Sequence, residues 1–83
     1  MVTKDPKRIA RARTLNSKLA RRVQGLCDDH QLSQRQCALR AGLDPSYVCK
    51  ILQGQTEPGI VTLEAIAEVF GLSLSELLEG VTR

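Results

Sequence analysis

The sequence predicts an all-α fold of five helices, and three observations lead there. Apolar residues recur near 3.6-residue spacing in separate segments. Two segments open on a capping box, and Gly42, Gly54 and Gly71 stand where helices would stop. No stretch alternates β-branched with polar residues long enough to make a strand.

The first helix opens at Asp5-Pro6, an N-cap followed by proline at the first helical position. Ile9, Ala12, Leu15, Leu19, Val23, Leu26 and Cys27 follow at helical spacing. One long helix to about Asp29 fits the pattern, and so do two pieces broken near Thr14-Leu15-Asn16. The second helix is announced by Ser33 and Gln36, which form a capping box, with Leu32 and Cys37 placed as a hydrophobic staple. It runs through Ala38 and Ala41 to Gly42. Gly42 takes the left-handed turn, Leu43 points back to the core, and Asp44 caps a third helix whose first residue is Pro45. That helix is expected from Pro45 to Gln53, ending at Gly54. A loop, "QTEPG", leads to a fourth helix over Ile60 to Phe70, with Ile60, Leu63, Ile66, Ala67 and Phe70 on one face and Gly71 as its stop. Ser73 with Glu76 opens a short fifth helix carrying Leu77 and Leu78.

At 83 residues the chain makes one domain with a small core. Its two aromatics, Tyr47 and Phe70, are few for a stacking platform that binds single strands. No apolar run is long enough for a membrane span, and the basic N-terminus lacks the apolar block of a signal peptide. The cytoplasm is therefore the expected compartment. Cys27, Cys37 and Cys49 lie 10 and 12 residues apart without a paired-cysteine motif. With His30 they lack the spacing of structural zinc sites, so packed, reduced thiols are expected and no metal or cofactor. Catalysis is not expected either: His30 is the sole histidine, and Asp28 and Asp29 are adjacent and face apart.

Charge is polarised along the chain. Residues 1–24 hold eight bases, Lys4 among them, against Asp5 alone, a balance of +7. Residues 25–55 balance to zero, and residues 56–83 carry Arg83 against five glutamates, −4, for the total of +3. A basic front end suits a phosphate backbone, and a solvated tail equally accounts for it.

Two helices joined by a short turn containing glycine make a helix-turn-helix if they cross steeply. Ala38 is small enough for the close crossing. Val48, Ile51 and Leu52 share the inner face of the third helix, while Ser46, Lys50 and Gln53 point away and Cys49 lies on the flank. In "LSQRQCALRAGLDPSYVCKILQG" and "PGIVTLEAIAEVFGLSLSELL", within residues 18–79, the chain resembles the Cro/repressor-like helix-turn-helix family, also called Xre. Order, spacing, turn and the two following helices agree together.

The resemblance implies a compact five-helix, lambda-repressor-like DNA-binding domain over residues 18–83, with a basic extension at residues 1–17. It also implies a third helix in the major groove of double-stranded operator DNA, a homodimer, and a role in regulating transcription, with repression the expected sign. No small-molecule ligand is evident. By position, Ser46 and Lys50 match base-contacting places, and Lys can donate to guanine O6 and N7. Pro45 holds another such place and cannot hydrogen-bond a base. Cys49 could touch a thymine methyl at most. Gln34 matches the phosphate-clamping position, with Arg35 beside it. Tyr47, Gln53, Gln55 and Thr56 are expected near the DNA backbone, where Glu57 would be repelled. The plainer readings are a surface glutamine at Gln34, a solvated lysine at Lys50 and a half-buried ring at Tyr47.

Where the family often pairs an arginine with a glutamate, this chain has Cys27 and Leu52, an apolar pair in place of an ionic one. The extension at residues 1–17 has three readings: a DNA-embracing arm, a dimerising helix with Ile9, Leu15 and Leu19 near one stripe, or a disordered tail. With no segment after the domain to bind an effector, a minimal regulator is expected. The competing function is a protein-interaction module, an antitoxin or accessory subunit, that keeps the fold with weak DNA binding; Pro45 and Glu57 speak for it.

Overall fold

The computed structural model describes residues 5–82, so residues 1–4 of the extension, Lys4 among them, and Arg83 lie outside the described residues. All regular structure among the described residues is helical: α1 (Pro6–Asp29), α2 (Gln34–Ala41), α3 (Pro45–Leu52), α4 (Ile60–Val69) and α5 (Leu74–Thr82). None of these helices is long and apolar enough to cross a membrane.

The five helices form where local chemistry predicts them. Asp5 accepts from the Lys7 amide at 3.0 Å and Pro6 begins α1. Of the two readings of the first segment, the unbroken helix is the one observed. Ser33 and Gln36 form the capping box reciprocally, at 3.1 and 2.8 Å. Gly42 caps α2 at φ 71°, a left-handed conformation that costs a residue with a Cβ about 1–2 kcal/mol. Asp44 caps α3. Ser73 and Glu76 repeat the reciprocal box at α5, which holds the Glu76 carboxyl below the usual carboxylate range.

Helix α1 crosses the whole assembly and packs on α5, α3 and α2; α2 packs on α3 and α4, and α4 on α5. Leu19, Val23, Leu26 and Cys27 of α1 meet Cys37, Ile51, Ile66, Leu77 and Val81 in one core. Ala38, fully buried, supplies the small residue at the helix-turn-helix. Arg22 reaches over α5 to the carbonyls of Leu77 and Glu76, at 3.4 and 3.3 Å. Gly80 makes that possible, since a Cβ there would collide with the Arg22 side chain.

One feature departs from expectation. Ile60 does not share the buried face of α4: it is 71% exposed, beside Val61 at 83%. Its phase on the helix is right, but it sits in the first turn, ahead of the segment whose Leu63, Ile66 and Ala67 are buried. Helix α1 ends at Asp29, as expected, and Gln31 adopts the left-handed turn that follows, at φ 55°.

The Cys27 thiol lies against that of Cys37 on α2, while Leu52 packs on the margin of the same core. Burial, helped by the Cys37 neighbour, pushes the Cys27 thiol from 9.0 up to about 12. Burial also raises Cys37, against the hydrogen bond from Cys27. The unfolded chain thus ionises these thiols at lower pH than the folded one. The folded state holds more protons between the two values, so stability falls as pH rises through that window. Thermal midpoints measured from about pH 8 upward are expected to drop above about pH 9, and Cys27→Ala should flatten part of that slope; an unchanged slope in the variant would count against this origin.

Candidate nucleic-acid interface

The outward face of α3 is set by its inner one. Val48 and Ile51 are buried, which turns Ser46, Lys50 and Gln53 to solvent and leaves Cys49 and Tyr47 half-buried on the flanks. Lys50 lies in the last turn, exposed on that face. Tyr47 packs its ring against the core margin. Gln53 closes the helix and donates its side-chain amide to the Cys49 sulfur at 3.5 Å.

Ser46 is more constrained than its sequence position suggests. Its amide and its hydroxyl both donate to Asp44 Oδ1, at 2.8 and 2.7 Å. The Ser46 hydroxyl bond, with the backbone bond behind it, holds the Asp44 carboxyl below its ordinary value. With its proton committed to the cap, Ser46 Oγ offers lone pairs outward and so suits a donor, such as adenine N6 or cytosine N4.

Gln34, the first residue of α2, is exposed, with Arg35 exposed beside it. The Gln34 side-chain amide donates to Gln24 Oε1 of α1 at 3.3 Å. Gln24 in turn donates to Asp28 at 3.0 Å. These bonds orient the amide at a helix N-terminus, where free backbone N–H groups favour an anion. Gln55 is exposed and Thr56 half-buried in the loop after α3; the Gln55 amide N–H is already donated to the Lys50 carbonyl at 3.0 Å.

The structure adds residues of α1 that sequence reasoning missed. Ser17, Ala20, Arg21 and Gln24 form one wall of an open cleft of about 400 Å³, and Leu52, Gln53 and Gly54 form the other. Gly54 turns at φ +71° against Ser17, so close that a Cβ at Gly54 would lie 3.4 Å from the Ser17 hydroxyl oxygen. The cleft joins the C-terminal end of α3 to the Gln24–Gln34 bond. Ser17, Arg21 and Gln24 are spaced i, i+4, i+7, a polar stripe set apart from the apolar one, and that spacing was the signal available in the sequence. The assembled face therefore holds Lys50, Arg35 and Arg21 with amides and hydroxyls between them. It can donate to phosphates along its edges and to base edges at its centre.

Known proteins resemble this chain in sequence and fold. A family model described as helix-turn-helix matches residues 26–77. The HTH-type transcriptional regulator DdrOP3 of Deinococcus deserti is 31% identical over 64 residues, covering 77% of this chain and 50% of that protein. The HTH-type transcriptional regulator PuuR of Escherichia coli is 39% identical over 56 residues, covering 68% of this chain and 30% of that one. The chain thus matches half, or less, of the length of these relatives. Among solved structures, the restriction-modification controller protein C.AhdI from Aeromonas hydrophila superposes with a TM-score of 0.71 at 31% identity, over 75% of this chain and 94% of that one. The clp gene regulator ClgR from Corynebacterium glutamicum gives 0.74 at 19% identity, over 81% and 71%, a likeness of fold.

Proposed function

The chain belongs to the Cro/repressor-like (Xre) helix-turn-helix family, and from that premise we propose that it is a sequence-specific regulator of transcription that binds double-stranded DNA and represses. In this reading α3 enters the major groove. Lys50 reads a guanine, Ser46 accepts from an adenine or cytosine, and Cys49 borders a thymine methyl. Gln34, Arg35, Gln53, Gln55 and Thr56 hold the phosphates, with Tyr47 alongside and Arg21 extending the track onto α1. A two-fold dimer would set two such helices roughly 34–36 Å apart, one turn of DNA, on a palindromic operator. The observation that carries the reading is the convergence of α3's polar face, the α2 N-terminus and the α1 stripe on one side of the molecule.

Pro45 limits direct readout. It starts α3 well, but it occupies a position that could otherwise have carried a hydrogen-bonding side chain. More of the specificity should then come from phosphate geometry and DNA shape.

The test is titration of labelled DNA from upstream of the chain's own gene, alongside single-base variants of the bound site. Lys50→Ala should cost about 1–3 kcal/mol on the preferred site and erase discrimination at one base pair. Gln34→Ala should weaken every sequence alike. Equal losses on all sequences in both variants would remove Lys50 from the reading role. Binding no tighter than that of a generic basic protein would favour the interaction-module reading instead.

A further inference from the structure

The half of α1 that precedes the core has an apolar stripe and lies over an apolar groove. Buried residues of α1 begin at Leu19, and none of residues 5–18 is buried. A helical stretch this short is marginal in water without packing. At about 100° per residue, Ile9, Ala12 and Asn16 fall in the same sector as Val23 and Cys27, so the core-facing stripe runs on past the core's edge. Ile9 is half-buried and Leu15 is 41% exposed. Beneath the overhang lies a groove of about 200 Å³ lined by Leu15, Leu19, Pro58, Leu63, Leu78 and Val81. The exposed Ile60 and Val61 lie in the chain between two of those residues.

Charge singles out the occupant. The overhang carries exposed Lys7, Arg8, Arg11, Arg13 and Lys18 against Asp5. The groove has Glu57 in its wall, and exposed Glu64 and Glu68 lie on α4. An apolar groove with the Glu57 carboxylate in its wall disfavours phosphate and suits a cationic helix with an apolar stripe. The chain carries both halves of that match side by side, so a two-fold axis near Leu15 would let two copies satisfy each other reciprocally.

We propose that this groove and the free half of α1 form a homodimer surface, each protomer laying its α1 overhang against the groove of its partner. The proposal rests on the dimeric reading above and names the surface. On α1 the centre of the stripe at Ile9, Ala12 and Asn16 lies roughly 110° around the helix from that of Ser17, Arg21 and Gln24, so docking on the first leaves Arg21 uncovered.

Sedimentation equilibrium of the full chain without DNA tests it. At tens of micromolar the wild type should have twice the 9.1 kDa chain mass. Leu15→Glu and Ile9→Glu should each raise the dimer dissociation constant at least roughly a hundredfold, because a two-fold interface meets the carboxylate twice in an apolar setting. Circular dichroism should show both variants folded. Leu39→Glu, at an exposed position on α2, should leave the dimer intact. A monomeric wild type, or variants that dimerise like it, would overturn the proposal. So would a monomer whose salt-dependent DNA affinity falls on Arg8→Gln and Arg11→Gln, since the overhang would then be a DNA arm. A dimer that fails to bind any DNA specifically would sink the functional reading and leave this surface standing.

Discussion

Ile51→Ala is expected to destabilise the domain by about 2–5 kcal/mol and to abolish DNA binding at physiological temperature. Ile51 is 1% exposed, on the inner face of an eight-residue α3. Such a helix does not persist alone, so packing on α1 and α2 is what keeps it formed. A domain of this size has only about 5–15 kcal/mol in total. At about 4–8 °C per kcal/mol, the midpoint should fall by roughly 8–40 °C. Lys50→Ala, on the opposite face of the same helix, should change stability by no more than about 0.5 kcal/mol. Thermal melts of both proteins followed by circular dichroism check the contrast. A loss below about 1 kcal/mol for Ile51→Ala would mean that α3 is not held by its inner face.

Raising salt from about 50 to about 200 mM should weaken specific DNA binding roughly a hundred- to a thousandfold, if each protomer of a dimer neutralises about two to three phosphates with cationic side chains. Arg21, Arg35 and Lys50 are the cations on the assembled face. Arg21→Ala should therefore reduce the slope of log affinity against log salt by about one per protomer. Gln34→Ala should lower affinity while leaving the slope in place, because a neutral amide releases no counterion. Fluorescence titrations over a salt series separate the two effects. A slope unaffected by Arg21→Ala would take α1 out of the phosphate track.

Much of the candidate site could be read in order along the chain. The corner from Gly42 through Asp44 to Pro45, the caps at Ser33 and Ser73, and the outward placing of Lys50 all follow from interactions within one helical turn. Other features do not. Nothing in the local sequence says that Ser46 commits its proton to Asp44, since the same side chain could rotate outward. Ile60 has the right period for burial and still lies in solvent, because periodicity fixes a direction and not what stands opposite. The left-handed turn after α1 falls on Gln31, where no glycine marks it.

Five helices, most of their stops and the two faces of α3 thus follow from the order of residues. Those features depend on neighbours within about four positions, where caps and apolar spacing act directly. Which helices share a surface was settled instead by long-range packing. It set Gln24 of α1 against Gln34 of α2, Ser17 against Gly54, and Arg22 across α5. Those partners lie 10, 37 and 55 positions apart, and their meeting follows from how α1 crosses the other helices, a choice made by packing of the whole core.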